Sequence, residues 1–101
     1  MAKAFKEHAT TTKGWRRSAP KTVQERRTLA KRCGLKAFLK PDRRDPGYST
    51  FPIMSKSSRS CKPDCVGLRT AYSRAKQYHH SRVARRAFSL AKRNGCDWTE
   101  R

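Results

Sequence analysis

Acidic side chains are scarce in this sequence, and their shortage excludes more than any motif it contains. Seven Asp and Glu stand against 26 Lys and Arg in 101 residues, a formal net charge of +19. No acidic segment neutralises the bases internally, so the compact chain repels itself and calls for a polyanionic partner. Solubility alone needs only about 2 to 8 charges in a small domain. Acid–base catalysis is poorly provided for: Glu7, Glu25, Asp42, Asp45, Asp64, Asp97 and Glu100 lie mostly in tails or turns, with no pair at helical spacing. His79 and His80 have no nucleophile or orienting acid near them in the sequence, and a glycine-rich phosphate loop is lacking. The chain is therefore expected not to be an enzyme.

Long hydrophobic runs are missing too. Apolar residues make up 35% of the chain, which predicts one domain with a thin core and part of the molecule left unpacked. No segment approaches membrane-spanning length, so no membrane insertion is expected. The N-terminal MAKAFKEHATTTKGWRR lacks the apolar run of a signal peptide, which predicts synthesis inside a cell.

Residues 1–20 show no sustained period and read as a flexible basic arm, with residues 21–101 forming a small helical domain. Phe5 and Trp15 either anchor that arm on a partner or, for Trp15, cover the core edge. A first helix is expected over Thr22 to Cys33, stopped by Gly34; Val23, Ala30 and Cys33 share a face, with Leu29 at its margin. Arg26 falls inside that stripe, so it either snorkels to water or points at a partner. Pro41, Pro46, Gly47 and Pro52 keep the middle from being a long helix, Asp45-Pro46-Gly47 suits a turn, and a short pair of strands flanking it is conceivable. A second helix should be capped by Asp64 and run through Gln77.

A third helix, Ser81 to Asn94, carries the clearest pattern. Val83, Ala84, Ala87, Phe88, Leu90 and Ala91 fill one side at about 100° per residue. Arg82, Arg85, Arg86, Ser89, Lys92 and Arg93 fill the other, and Gly95 ends the helix. The expected fold class is thus all-α: three helices, a long irregular loop and an extended basic arm.

The basic side of the third helix, joined by Arg69, Arg74 and Lys76 from the second, suits phosphate contact, because arginine forks match phosphate oxygens bidentately. Arg82, Arg85, Arg86 and Arg93 are the leading candidates for nucleic-acid binding, supported by Lys92, Arg69 and Lys76. Asn and Gln are too few to suggest base reading.

The cysteines leave three states open. Cys61 and Cys65 have a spacing a metal tolerates, and Cys33 and Cys96 would complete a four-thiolate zinc site, the one cofactor the sequence admits. Only one close pair exists, which argues against zinc. In a reducing cytosol all four would stay thiols. In an oxidising particle a local Cys61–Cys65 bridge would brace the start of the second helix, and Cys33 would meet Cys96 if the similar ends AKRCG and AKRNGC lie together.

The segments AFLKP at 37–41, FPIM at 51–54, CKPDCVGLRTAYSRAKQ at 61–77, the VARRAFSLAK helix and GCDW at 95–98 together resemble a small basic domain of poorly characterised proteins of large nucleocytoplasmic DNA viruses, of phycodnavirus or mimivirus type. The resemblance spans about residues 30–98, departing at Met54, where relatives often carry cysteine. It implies a virion-associated protein made in the host cytoplasm or nucleus, in a setting where bridges are favoured. The expected function is electrostatic binding of viral DNA, for packaging or tethering. Two alternatives share the same features: a minor capsid protein threading between capsid subunits, and a ribosomal RNA-binding protein.

Overall fold

The computed structural model describes residues 14–99. Its elements in chain order are α1 (Trp15–Ser18), α2 (Val23–Cys33), β1 (Phe38–Lys40), β2 (Thr50–Pro52), α3 (Cys65–Gln77) and α4 (Ser81–Arg93). Short 3-10 turns occupy Leu35–Ala37, Pro46–Tyr48 and Asp97–Thr99.

Local chemistry sets the helix ends. Thr22 and Glu25 form a reciprocal capping box at the start of α2: the Glu25 amide donates to Thr22 Oγ1 at 3.0 Å, and the Thr22 amide to Glu25 Oε1 at 3.3 Å. Gly34, at φ 87°, takes the chain out of α2 through a conformation that side chains resist. Asp64 caps α3, accepting from the amides of Val66 and Gly67 at 2.9 and 3.1 Å.

The all-α expectation is corrected. Among the described residues there are four helices and a two-stranded antiparallel sheet, with Phe38 opposite Pro52 and Lys40 opposite Thr50. Three-residue strands are too short to display an alternating period, so composition hinted at this hairpin without defining it. Its turn is held by side chains acting on the backbone: Asp42 accepts from the amides of Arg44 and Asp45, and Asp45 from that of Gly47. Helix α2 lies directly on the turn. A Cβ on Gly47 would sit 2.5 Å from Val23 Cγ1, so only glycine fits beneath the helix.

An arm is expected from the sequence over residues 1–20. Residues 1–13 lie outside the described residues, but 14–20 join the fold. Trp15 is 7% exposed and Pro20 is fully buried. The Trp15 indole covers Gly67, where a Cβ would fall 2.7 Å from Cη2. Trp15 therefore closes the core edge. Phe5 lies among the residues not described.

The core lies between α2, the hairpin and the α3–α4 pair. Leu29, Ala37, Phe38, Ile53, Met54, Leu68, Ala71, Ala75, Ala87 and Ala91 are all buried. Leu29, placed at the margin by periodicity, is completely buried, whereas Val23 is only half-buried. The neighbouring hairpin redirects which side of α2 faces inward. Along the α3–α4 seam, Ala71 and Ala75 face a partner helix that buries Ala84, Ala87 and Ala91, and such small residues let two helices approach closely.

All four cysteines are bridged, in a pairing unlike the one proposed from sequence. Cys33 joins Cys61 and Cys65 joins Cys96, with Cα separations of 5.3 and 5.5 Å. Two structural causes separate Cys61 from Cys65. The chain after β2 runs back beside the end of α2, where Arg32 Nη1 donates to the carbonyls of Lys56 and Ser58, and this delivers Cys61 to Cys33. Helices α3 and α4, each 13 residues long and joined by a short connection, pack antiparallel, which sets the start of one beside the end of the other. Cys65 and Cys96 occupy those two ends. The four sulfurs of the alternative zinc site, Cys33, Cys61, Cys65 and Cys96, are paired here as two disulfides. No group of three or more His, Cys, Asp or Glu is gathered for metal binding among the described residues.

Candidate nucleic-acid interface

Between Asp64 and Asp97 the chain contains no acidic residue, and this stretch is α3, α4 and their connection. Whatever surface these helices expose is therefore positive. Helix α4 buries Val83, Ala84, Ala87 and Ala91, half-buries Phe88 and Leu90, and exposes Arg82, Arg85, Arg86, Lys92 and Arg93. At 3.6 residues per turn these five cations occupy an arc of about 120°. None of them takes part in an ion pair among the described residues, where the salt bridges are Arg27–Asp45 and Lys56–Glu25.

Helix α3 divides its cations between two sides. Arg69 and Lys76 are seven residues apart and share a face, whereas Arg74 projects on nearly the opposite side. Lys76 and Arg85 line one shallow depression across the α3–α4 seam, together with Tyr72, Phe88 and Ser89. The structure thus joins Lys76 to the α4 face, with Arg69 on the same side of α3. Arg74 belongs to a different concavity, lined also by Arg16, Lys21, Arg26 and Lys40. Periodicity alone had grouped Arg74 with its helix neighbours.

An aromatic cluster flanks the α4 face. The Tyr72, Phe88 and Trp98 rings lie 5.5–5.9 Å apart, and Trp98 Nε1 donates to the Cys65 carbonyl at 2.9 Å. The Lys76 ammonium stands 5.6 Å from the Tyr72 ring centroid, within reach of a cation–π contact. With the Cys65–Cys96 bridge at the same end, α3 and α4 are clamped into one rigid platform. A rigid support lowers the entropy lost when side chains contact a partner.

The few acids near the basic surfaces are engaged in structural work. Arg27 donates two hydrogen bonds to Asp45, at 3.0 and 2.8 Å, which hold its carboxyl below the usual carboxylate range and raise Arg27 in turn. Glu25 is held low by the backbone amides of Lys21 and Thr22, with Lys56 contributing less. Neither acid offsets the α3–α4 surface.

No helix among the described residues is long and apolar enough to cross a membrane. Compared with known protein families, with curated proteins and with solved structures, the chain matches none.

Proposed function

We propose that the protein is a non-enzymatic nucleic-acid-binding protein that grips the phosphate backbone of duplex DNA through the exposed side of α4. The observation that carries this reading is the arc formed by Arg82, Arg85, Arg86, Lys92 and Arg93 on a helix pair without a single acid. A polyanion with closely spaced charges matches such a row, and release of its condensed counterions drives association. Lys76 extends the row across the seam, and Arg69 lies on the same side of α3. The contacts position the protein without reading sequence, since they address phosphates rather than base edges.

The setting follows from the resemblance carried by residues 30–98: a virion-associated protein that packages or tethers viral DNA. Two internal bridges accord with a particle that meets oxidising surroundings, where structural disulfides persist.

Duplex binding measured across a salt series tests the proposal. Five phosphate contacts predict a log–log slope of about −4.5, so that affinity falls roughly 500-fold between 50 and 200 mM salt. Changing Arg82, Arg85 and Arg86 together to alanine should reduce the slope by about 2.7 while the circular dichroism spectrum is preserved. An unchanged slope would place the contacts elsewhere.

A further inference from the structure

A second concavity lies on the other side of α3. It is an open-sided groove of about 690 Å³, walled by α1, the start of α2, the hairpin and α3. Pockets for small organic ligands commonly span about 300–1,000 Å³. Five cations from separate parts of the chain converge on it: Arg16, Lys21, Arg26, Lys40 and Arg74. No carboxylate lines it among the described residues, since Glu25, the acid nearest in sequence, is turned to the amides of Lys21 and Thr22 and to Lys56. Gathering five like charges around one hollow is unfavourable unless an anion occupies it.

Two further features point to the kind of anion. Arg26 Nε is buried with no hydrogen-bond partner, an orphaned donor on a charged group lining the groove. Such a donor is costly to leave unpaired, and a small turn of the guanidinium toward a phosphate bound in the groove would satisfy it. Tyr78, at the end of α3, is 60% exposed and lines the same groove. A large exposed aromatic beside cations is the pairing that single-stranded nucleic-acid sites use, with the ring for a base and the charges for its backbone. Phe51, which also lines the groove, is held at φ 57°, a conformation that bulky residues avoid and that clusters at binding sites. The His80 ring meets it edge-on at 5.5 Å and braces that wall.

We infer that this groove holds one unpaired nucleotide unit of a single-stranded nucleic acid, its phosphate on Arg26 and Arg74 and its base against Tyr78. The inference rests on the nucleic-acid reading for the class of ligand, but it assigns a site separate from the α4 face. The protein would then hold paired and unpaired strands on opposite sides of α3.

The test is a double dissociation on the full-length protein. Probes are pentathymidylate, a 20-base-pair duplex, inorganic phosphate and a short polyglutamate peptide, titrated by calorimetry at low salt. Tyr78→Leu, at an exposed position, should weaken pentathymidylate binding by about fivefold or more, while Tyr78→Phe keeps the ring and retains binding. Arg26→Gln should weaken it also. The triple change of Arg82, Arg85 and Arg86 to alanine should weaken duplex binding while leaving pentathymidylate affinity within about twofold, because a short strand engages few of those charges. Pentathymidylate binding that ignores Tyr78→Leu but fails with the α4 triple variant overturns the groove and leaves the duplex proposal standing. Failure of pentathymidylate to bind overturns it as well. Phosphate binding as tight as pentathymidylate reduces the groove to a bare anion site, and tighter binding of polyglutamate makes it a site for acidic peptides; either result refutes the nucleotide.

Discussion

The two disulfides can be removed one at a time, and the path of the chain sets the cost of each removal. Cys33–Cys61 spans a sequence separation of 28 and Cys65–Cys96 one of 31. The first loop closes before the second opens, so the bridges restrict different parts of the unfolded chain and their effects add. Loop-closure entropy for these lengths corresponds to about 3.6 kcal/mol per bridge at 25 °C. Together they contribute roughly 7 kcal/mol, against a total stability of about 5–15 kcal/mol for an ordinary domain. A chain with a thin core and a charge of +19 has little else to draw on. The paired variants Cys33→Ala with Cys61→Ala, and Cys65→Ala with Cys96→Ala, should each lose about 3–4 kcal/mol in urea unfolding followed by circular dichroism. Removing both pairs should leave the chain largely unfolded at 25 °C. An unfolding midpoint that is the same with and without the bridges would refute the reasoning.

The pairing itself is open to a direct check. Cleavage before aspartate yields fragments 1–41, 45–63 and 64–96, which separate Cys61 from Cys65 but keep Cys65 and Cys96 together. Without reduction, 1–41 should be joined to 45–63, and 64–96 should carry its own internal bridge. A single species containing all three fragments would instead indicate one of the other two pairings, Cys33–Cys96 with Cys61–Cys65 or Cys33–Cys65 with Cys61–Cys96.

Two further outcomes are expected. Gly67→Ala forces the Trp15 indole aside, and the overpacking outweighs the gain in helix propensity, for a net loss of about 1 kcal/mol; in an NMR spectrum the indole signal of Trp15 should move more than that of Trp98. Stability that rises by the full glycine-to-alanine increment with an unmoved signal would contradict this contact. Asp45 and Glu25 both titrate lower in the folded protein than their ordinary values of 3.8 and 4.5, so the stability they contribute is present above those values and is lost as pH falls through the lower folded-state range. Asp45→Asn should flatten the acid limb of the pH–stability curve, and an unaltered limb would show that the Arg27–Asp45 pair contributes nothing.

What was legible in the sequence is what depends on near neighbours. Thr22 and Glu25 announce the start of α2, Asp64 the start of α3 and Gly34 the end of α2, because caps act across three or four residues. The α4 period separates Val83, Ala84, Ala87 and Ala91 from the five exposed cations for the same local reason. The short hairpin is too brief to show a period, and periodicity leaves Leu29 at the margin because the surface that buries it arrives from another part of the chain. The Cys65–Cys96 pairing had a readable signal that periodicity alone did not use: two antiparallel helices of equal length bring the start of one to the end of the other.

Composition and local capping set the charge, the limits of α2, α3 and α4 and the acid-free stretch from 65 to 96, since neither needs a distant partner, whereas α1 is not read from them. Which cysteines meet, that Trp15 is buried at the core edge, and that Arg74 faces away from Lys76 into a groove shared with Arg16 and Arg26 depend on the assembled fold. Those results join residues some thirty to sixty positions apart, and such contacts are set by how the hairpin and the α3–α4 pair close upon α1 and α2.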